Sequence, residues 1–171
     1  MTSIEASLLL ENAITPQEQS EWIDLGCGSG TFTYALADLL GEGSRIHAVD
    51  KLQQHLNSRK TGTTIAFSKV DFEKQDLPYK NIAGVIIANS LHYIEDQLSL
   101  IIKIKTWLKK GGKIILIEYD TDESNAWVPY PITYDKALQM FKTAAFTTVT
   151  KIAEMNSSIR KESIFSCMAI S

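Results

Sequence analysis

The amino-acid sequence predicts a doubly wound α/β fold, a mostly parallel β-sheet covered by helices on both faces. Short apolar runs alternate with segments of helical periodicity over most of the chain, and right-handed crossovers would make those strands parallel. Near the C-terminus, two β-rich runs at residues 147–153 and 163–170 leave only residues 154–162 between them. That connection is too short for a crossover helix, so the last two strands should form an antiparallel pair.

Composition indicates one domain. The chain has 171 residues, 44% of them hydrophobic, and no repeat, low-complexity tract or linker divides it. We expect an N-terminal helical segment at 1–20, a ligand-binding core at 21–120, and a loop, a helix and the antiparallel strands at 121–171. A net charge of −3 argues against nucleic acid as a partner. No apolar run approaches the length of a membrane span and no basic leader is evident, so we expect a cytoplasmic protein with no membrane partner.

The first elements carry the strongest functional signal. A helix is expected at residues 6–14, before Thr15-Pro16. The first strand begins by Trp22 and leads into a loop with glycine at 26, 28 and 30. Glycine allows tight turns and lets a ligand lie against the backbone. The second strand ends at Asp50, whose carboxylate can accept hydrogen bonds from both hydroxyls of a ribose. Together these features predict a site for a nucleoside cofactor.

The glycine spacing and Asp24 favour one cofactor over others. The loop has the pattern G-x-G-x-G, whereas dinucleotide folds use G-x-G-x-x-G. A carboxylate at Asp24 would repel a pyrophosphate and attract an ammonium group. The stretch Asp24-Leu-Gly-Cys-Gly-Ser-Gly30 therefore resembles the first motif, [D/E]-x-G-x-G-x-G, of the class I S-adenosylmethionine-dependent methyltransferases.

Later elements extend this resemblance from Trp22 to Tyr119. A β-branched and aromatic run at 64–70 predicts the third strand, and Asp71-Phe72 follows it. The nearly all-apolar run at 84–89 predicts a central fourth strand. Helical spacing at 98–109 ends at Gly111-Gly112, and the fifth strand is expected at 113–118. A final helix is predicted at 134–146, capped by Thr133.

The resemblance implies a seven-stranded sheet of order 3-2-1-4-5-7-6, with strand seven antiparallel. It implies S-adenosylmethionine as methyl donor, S-adenosylhomocysteine as product, and no metal. Asp24 would hold the methionyl ammonium, Asp50 the ribose, and Asp71 with Phe72 the adenine, while Asn89 would approach the methionyl portion. The cofactor-binding residues implied in this way are Asp24, Gly26, Cys27, Gly28, Gly30, Asp50, Lys51, Asp71, Phe72 and Asn89. We interpret Cys27 as a compact apolar side chain within the loop and not as a nucleophile.

Residues for the methyl acceptor are less clearly marked. His92 follows the fourth strand and is the candidate catalytic base, although a histidine here can equally pack beneath the next helix. Substrate-binding candidates are Tyr93, Tyr119, Trp127 and Tyr130. The loop at 119–131 would form an aromatic wall beside the methyl donor, or would simply pack on its own sheet. The acidic residues at and after the end of the fifth strand, Glu118, Asp120, Asp122 and Glu123, would attract an amine, or would only be solvated.

The predicted function is methyl transfer to a small-molecule acceptor, by a monomer or a homodimer. Two other classes remain open. One is a non-catalytic partner protein that keeps the methyltransferase fold, and the other is a nicotinamide-dependent oxidoreductase. The two cysteines have no metal-binding or disulfide spacing.

Overall fold

One mixed β-sheet organises the protein. The computed structural model describes residues 1–156 and 162–171. The strands are β1 Glu21–Leu25, β2 Arg45–Asp50, β3 Arg59–Lys60, β4 Thr63–Lys69, β5 Ile82–Ala88, β6 Leu108–Tyr119, β7 Thr148–Asn156 and β8 Ser163–Ile170. Their order is β3-β4-β2-β1-β5-β6-β8-β7. Strands β4, β2, β1, β5 and β6 are parallel, whereas β8 runs antiparallel to both of its neighbours.

The predicted fold class and the order of the seven main strands are confirmed, but the sheet contains eight strands rather than seven. The additional strand, β3, pairs antiparallel with the start of β4. Thr61 and Gly62 form the turn between them, and both have positive φ, 52° and 80°. Two-residue hairpin turns favour this backbone conformation because it matches the twist of the strands. The predicted connection at 154–162 lies partly outside the described residues, which omit 157–161.

Helices cover both faces of the sheet and complete the three layers. The helices are α1 Ser3–Leu10, α2 Thr31–Leu39, α3 Gln97–Lys105 and α4 Tyr134–Thr143, with 3₁₀ turns at Glu11–Ala13 and Leu91–Tyr93. Helices α1 and α2 share one apolar cluster, and α3 and α4 share the other. Alternate residues of β5 enter the two clusters, Ile86 the first and Ile87 the second. This explains why β5 has a continuous apolar sequence.

Several helix boundaries differ from prediction. Helix α1 begins earlier than residue 6 because Thr2 and Glu5 form a capping box. Helix α3 ends at Lys105, since Leu108 already pairs with Ile82 in the sheet. Helix α4 has the predicted Thr133 cap but stops at Thr143.

Two connections lack the crossover helix that a regular alternation would supply. No helix occurs at residues 51–58, between β2 and β3, or at 70–81, between β4 and β5. Both connections are instead loops that leave the carboxyl ends of β2 and β4. This end of the sheet is where doubly wound folds bind ligands.

Candidate functional site

The glycine loop at 26–30 lies at the carboxyl end of β1 and begins the candidate site. The backbone N–H groups of Gly26 and Cys27 both donate to the carbonyl of Val49, at 2.8 and 3.1 Å. Gly26 has a φ of +79°, and a Cβ placed on it would lie 2.4 Å from the Cβ of Ser90. Only glycine satisfies both the conformation and this contact. A Cβ on Gly28 would meet no atom within 4 Å, so open space borders the loop at that point.

Asp50 ties the end of β2 to this loop. One carboxylate oxygen accepts a hydrogen bond from the backbone N–H of Gly28 at 2.9 Å, and the other accepts one from Leu52 at 2.8 Å. Each oxygen of an ionised carboxylate can accept more than one hydrogen bond. Asp50 is also part of the wall of a cavity. It therefore holds the loop and keeps acceptor capacity for a ligand.

Asp24 is a buried carboxyl group, 1% exposed, near the end of β1. The hydroxyl of Thr33 in α2 donates a hydrogen bond to it at 2.6 Å. Burial raises its pKa to about 6; the Thr33 hydrogen bond opposes this rise and the charge of Asp50 adds to it. A ligand that brings a positive charge would stabilise the ionised form. The chemistry of Asp24 therefore fits an ammonium group.

Two adjoining cavities open around the glycine loop. The first, of about 290 Å³, is lined by Gly26, Asp50, Lys51, Leu52, Asp71, Phe72, Glu73, Asn89, Ser90, Tyr93 and Ile94. The second, of about 190 Å³, is lined by Met1, Asp24, Gly26, Cys27, Gly28, Ser29, Thr31, Phe32, Ala88 and Asn89. Gly26 and Asn89 belong to both linings. An elongated ligand with a nucleoside at one end and an amino acid at the other matches this arrangement.

The structure brings most of the predicted cofactor residues together around these cavities. Gly30 is the exception: it caps the start of α2 with a φ of +88° and lines neither cavity. Lys51 lies at the first cavity, with its ammonium 5.7 Å from the ring centroid of Tyr93. Burial raises the pKa of the Cys27 thiol, which fits a side chain that fills space in the loop and not a nucleophile.

Leu52, Glu73 and Ile94 also line the first cavity and were not predicted. They lie in loops, where hydrophobic periodicity offers no signal.

His92 is buried, has a buried partner and lines neither cavity. It is 3% exposed, and its Nδ1 lies 2.6 Å from an Oε of Glu118, at the end of β6. The other Oε of Glu118 accepts hydrogen bonds from the backbone N–H groups of Leu91 and His92, at 2.9 and 3.3 Å. Sequence reasoning grouped Glu118 with the exposed acids of the following loop. The signal in the sequence was the position of Glu118, which directly follows the apolar run 114–117 and so continues a buried strand.

The remaining substrate candidates do not assemble into one wall. Tyr93 is 44% exposed and lines the first cavity. Tyr119 packs with the apolar cluster on the α1 side, whereas Trp127 is 72% exposed. Tyr130 donates its backbone N–H to the carbonyl of His92. None of Tyr119, Trp127 and Tyr130 lines either cavity. The expected aromatic wall is therefore not formed in this structure.

Residues 1–156 and 162–171 lack the features of two other kinds of site. No group of three or more His, Cys, Asp or Glu side chains in this part of the chain has an arrangement that could hold a metal ion. No helix there has the length and apolar character needed to cross a membrane.

Comparison with known proteins yields consistent matches. Residues 16–163 match the sequence model of a family described as a methyltransferase domain. Among curated proteins, the chain is similar to the carboxy-S-adenosyl-L-methionine synthase of Vibrio cholerae, with 29% identity over 121 residues that cover 65% of this chain and 48% of that protein. The chain thus spans about half the length of this relative.

Solved structures show the same fold. The YcgJ protein of Bacillus subtilis superimposes with a TM-score of 0.74 at 11% identity, covering 98% of each chain. The 1,6-didemethyltoxoflavin-N1-methyltransferase of Burkholderia thailandensis, solved with 1,6-didemethyltoxoflavin and S-adenosylhomocysteine, has a TM-score of 0.72 at 16% identity. The match covers 99% of this chain and 77% of that one.

Proposed function

This chain belongs to the class I S-adenosylmethionine-dependent methyltransferase family, and we propose that it transfers a methyl group from S-adenosylmethionine to a small-molecule acceptor. The observation that carries the proposal is the pair of cavities joined at Gly26 and Asn89. One contains the buried carboxyl of Asp24 and the other the carboxylate of Asp50. A carboxyl group in each cavity suits a ligand that carries an ammonium in one part and a ribose in another.

Each part of the site has a proposed role toward the donor. Asp24 would bind the methionyl ammonium. The positive charge of the ammonium would stabilise the ionised carboxylate, which burial alone disfavours. Asp50 would accept hydrogen bonds from the ribose hydroxyls, with Lys51 beside it. Asp71 would bind the adenine amino group and Phe72 would flank the ring. The backbone of Gly26, Cys27 and Gly28 would lie against the body of the ligand, with Gly30 starting the helix behind it.

The donor supplies an electrophilic methyl group bonded to a positively charged sulfur. The chain would contribute mainly position, because a nucleophile held in line with the breaking bond reacts without further loss of rotational freedom. His92 remains the candidate base: if Nδ1 donates to Glu118, Nε2 keeps its lone pair. Tyr93 is the predicted acceptor contact nearest the donor, and Tyr119, Trp127 and Tyr130 are proposed to contact the more distant part of the acceptor.

A small acceptor is favoured by the size of the site. The cavities have volumes of about 290 and 190 Å³, and a donor would fill much of this space. The Burkholderia thailandensis neighbour was solved with 1,6-didemethyltoxoflavin, a small acceptor, beside S-adenosylhomocysteine. We further propose that the protein works in the cytoplasm, where its free cysteines, Cys27 and Cys167, stay reduced. It would act as a monomer or a homodimer.

Calorimetric titration with S-adenosylmethionine and S-adenosylhomocysteine tests the proposal, with NAD and NADP as controls in the same buffer. We expect binding of the two sulfur ligands alone, followed by formation of S-adenosylhomocysteine when an acceptor is present. Binding of both sulfur ligands without turnover would favour the non-catalytic partner protein. A response to NAD or NADP alone would contradict the donor assignment.

A further inference from the structure

The loop between β4 and β5, which carries the proposed adenine contacts, has little regular structure of its own. It spans residues 70–81 and contains no helix. Its start is fixed, because the backbone N–H of Val70 donates to the carbonyl of Asp50 at 2.9 Å. Beyond that point, no described backbone N–H donates to the carbonyl of Phe72 or of Gln75. Backbone carbonyls need donors, so this part of the loop depends on a contact from elsewhere in the protein.

Lys103 of α3 supplies that contact. Its ammonium donates to the carbonyl of Phe72 at 3.4 Å and to that of Gln75 at 2.8 Å. It also lies 2.9 Å from a carboxylate oxygen of Asp76. An ammonium has three N–H groups, so these three partners use all of them. The side chain of Lys103 is only 26% exposed. One side chain therefore joins α3 to two carbonyls of the loop.

The position of this loop determines how Asp71 and Phe72 meet the first cavity, which both residues line. The ring of Phe72 has a second anchor, because it packs in the apolar cluster of α3 and α4. The carboxylate of Asp71 has no such anchor. It accepts a hydrogen bond from the backbone N–H of Glu73 at 3.3 Å and lies 3.4 Å from the ammonium of Lys74. Both partners belong to the same loop and move with it, so they do not fix Asp71 relative to the cavity.

We propose that Lys103 is a positioning residue for adenine recognition, because it holds the loop that presents the carboxylate of Asp71 to the adenine amino group. This inference rests on the proposed function. Lys103 does not line the first cavity, so it acts through the loop and not on the donor. A hydrogen bond weakens steeply when its donor and acceptor are misaligned. A loop that is not held would also lose more conformational freedom when the ligand binds, which lowers affinity.

Calorimetric binding of two ligands to Lys103→Met tests the inference. One ligand is S-adenosylhomocysteine, and the other is its analogue in which hydrogen replaces the adenine amino group. We expect wild-type protein to bind S-adenosylhomocysteine about tenfold more tightly than the analogue, as for a hydrogen bond to a charged group. Lys103→Met should lose about tenfold in affinity for S-adenosylhomocysteine but less than about threefold for the analogue. The discrimination between the two ligands would then be largely lost.

Lys105→Met is the matched control. Lys105 lies in the same helix, and its ammonium also donates to two carbonyls, those of Ala144 and Ala145 at the end of α4. Neither of these alanines lines either cavity. Lys105→Met thus removes a comparable pair of contacts, and it should keep both affinities within about twofold of the wild type. Comparable urea unfolding of the two variants would show that the difference in binding does not come from stability.

Three results would contradict the proposal. An equal loss for both ligands in Lys103→Met, or discrimination that stays at the wild-type ratio, would overturn the inference and leave the proposed function intact. Equal binding of both ligands by the wild type would do the same, because no contact with the amino group would exist to be positioned. A wild type that binds neither ligand would overturn the proposed function as well. Lys103→Gln, also uncharged and well suited to a helix surface, gives the same comparison if Lys103→Met does not fold.

Discussion

Replacing Asp24 by Asn should stabilise the ligand-free protein and weaken its binding of S-adenosylmethionine. Asp24 is almost completely buried, and this burial raises its pKa from 3.8 to about 6 even though Thr33 donates a hydrogen bond to it. The negative charge of Asp50 adds to the rise. Above pH 6 the folded protein therefore holds a carboxylate that would be more stable in the unfolded chain.

The magnitude follows from the pKa difference. A pKa difference of one pH unit corresponds to about 1.4 kcal/mol, so a rise from 3.8 to about 6 corresponds to about 3 kcal/mol. The folded state binds the proton more tightly, so the stabilisation is fully present below pH 3.8 and is lost as the pH rises to about 6. Asn is uncharged, and its amide oxygen can still accept the Thr33 hydrogen. The advantage of Asp24→Asn should therefore grow from less than about 1 kcal/mol at pH 4 to at most about 3 kcal/mol at pH 7.5.

Urea unfolding followed by circular dichroism measures this difference at the two pH values. Asp122→Asn, which removes an exposed charge, is the control and should change the free energy of unfolding by less than about 0.5 kcal/mol. Calorimetry should show that Asp24→Asn binds S-adenosylmethionine more weakly by about 1.5–3 kcal/mol, the usual loss for a hydrogen bond to a charged group. If Asp24→Asn were less stable than wild type at pH 7.5, or if its advantage did not shrink toward pH 4, the reasoning would be refuted.

The glycine loop and two other carboxylates support three further expectations. In thermal unfolding, Gly26→Ala should lower the free energy of unfolding by at least about 2 kcal/mol, because its Cβ would lie 2.4 Å from the Cβ of Ser90. Gly111→Ala, with similar φ but nothing within 4 Å, should lose only about 1 kcal/mol in the same thermal unfolding experiment. Asp50→Ala should weaken S-adenosylhomocysteine binding by about 1.5–3 kcal/mol in calorimetry, and an unchanged affinity would place the ribose elsewhere. Glu118→Ala should cost about 3 kcal/mol or more, since it leaves three buried donors unpaired, and Glu118→Gln should recover part of this. An alanine variant as stable as wild type in urea would contradict that expectation.

The sheet was predictable because its signals are local. Strands buried on both faces must be apolar along their whole length, as β5 is, and the short connection before β8 excludes a parallel crossover. The glycine loop and Asp50 were also predictable. A turn that requires positive φ, followed about twenty residues later by a carboxylate at a strand end, leaves a pattern in the linear sequence.

Features that depend on pairing between distant residues were not predictable. Helical periodicity continues past Lys105, but Leu108 is already in β6, and only its pairing with Ile82 decides this. The apposition of His92 and Glu118 joins the 3₁₀ turn that follows β5 to the end of β6, 26 residues further along the chain. The position of Trp127 is of the same kind, because aromatic character alone does not reveal that the loop leaves this side chain 72% exposed and outside both cavities.

The hydrogen bonds that hold the glycine loop have a consequence for how a donor would be recognised. Gly26, Cys27 and Gly28 are fixed to Val49 and Asp50 by contacts within the protein itself. A ligand that enters this site need not order the backbone, so it is spared the conformational entropy that a folding loop would lose. Fragments such as adenosine or methionine should then bind with an efficiency per atom close to that of the whole donor. Recognition would be modular, with each half of the molecule meeting a surface that is already in place.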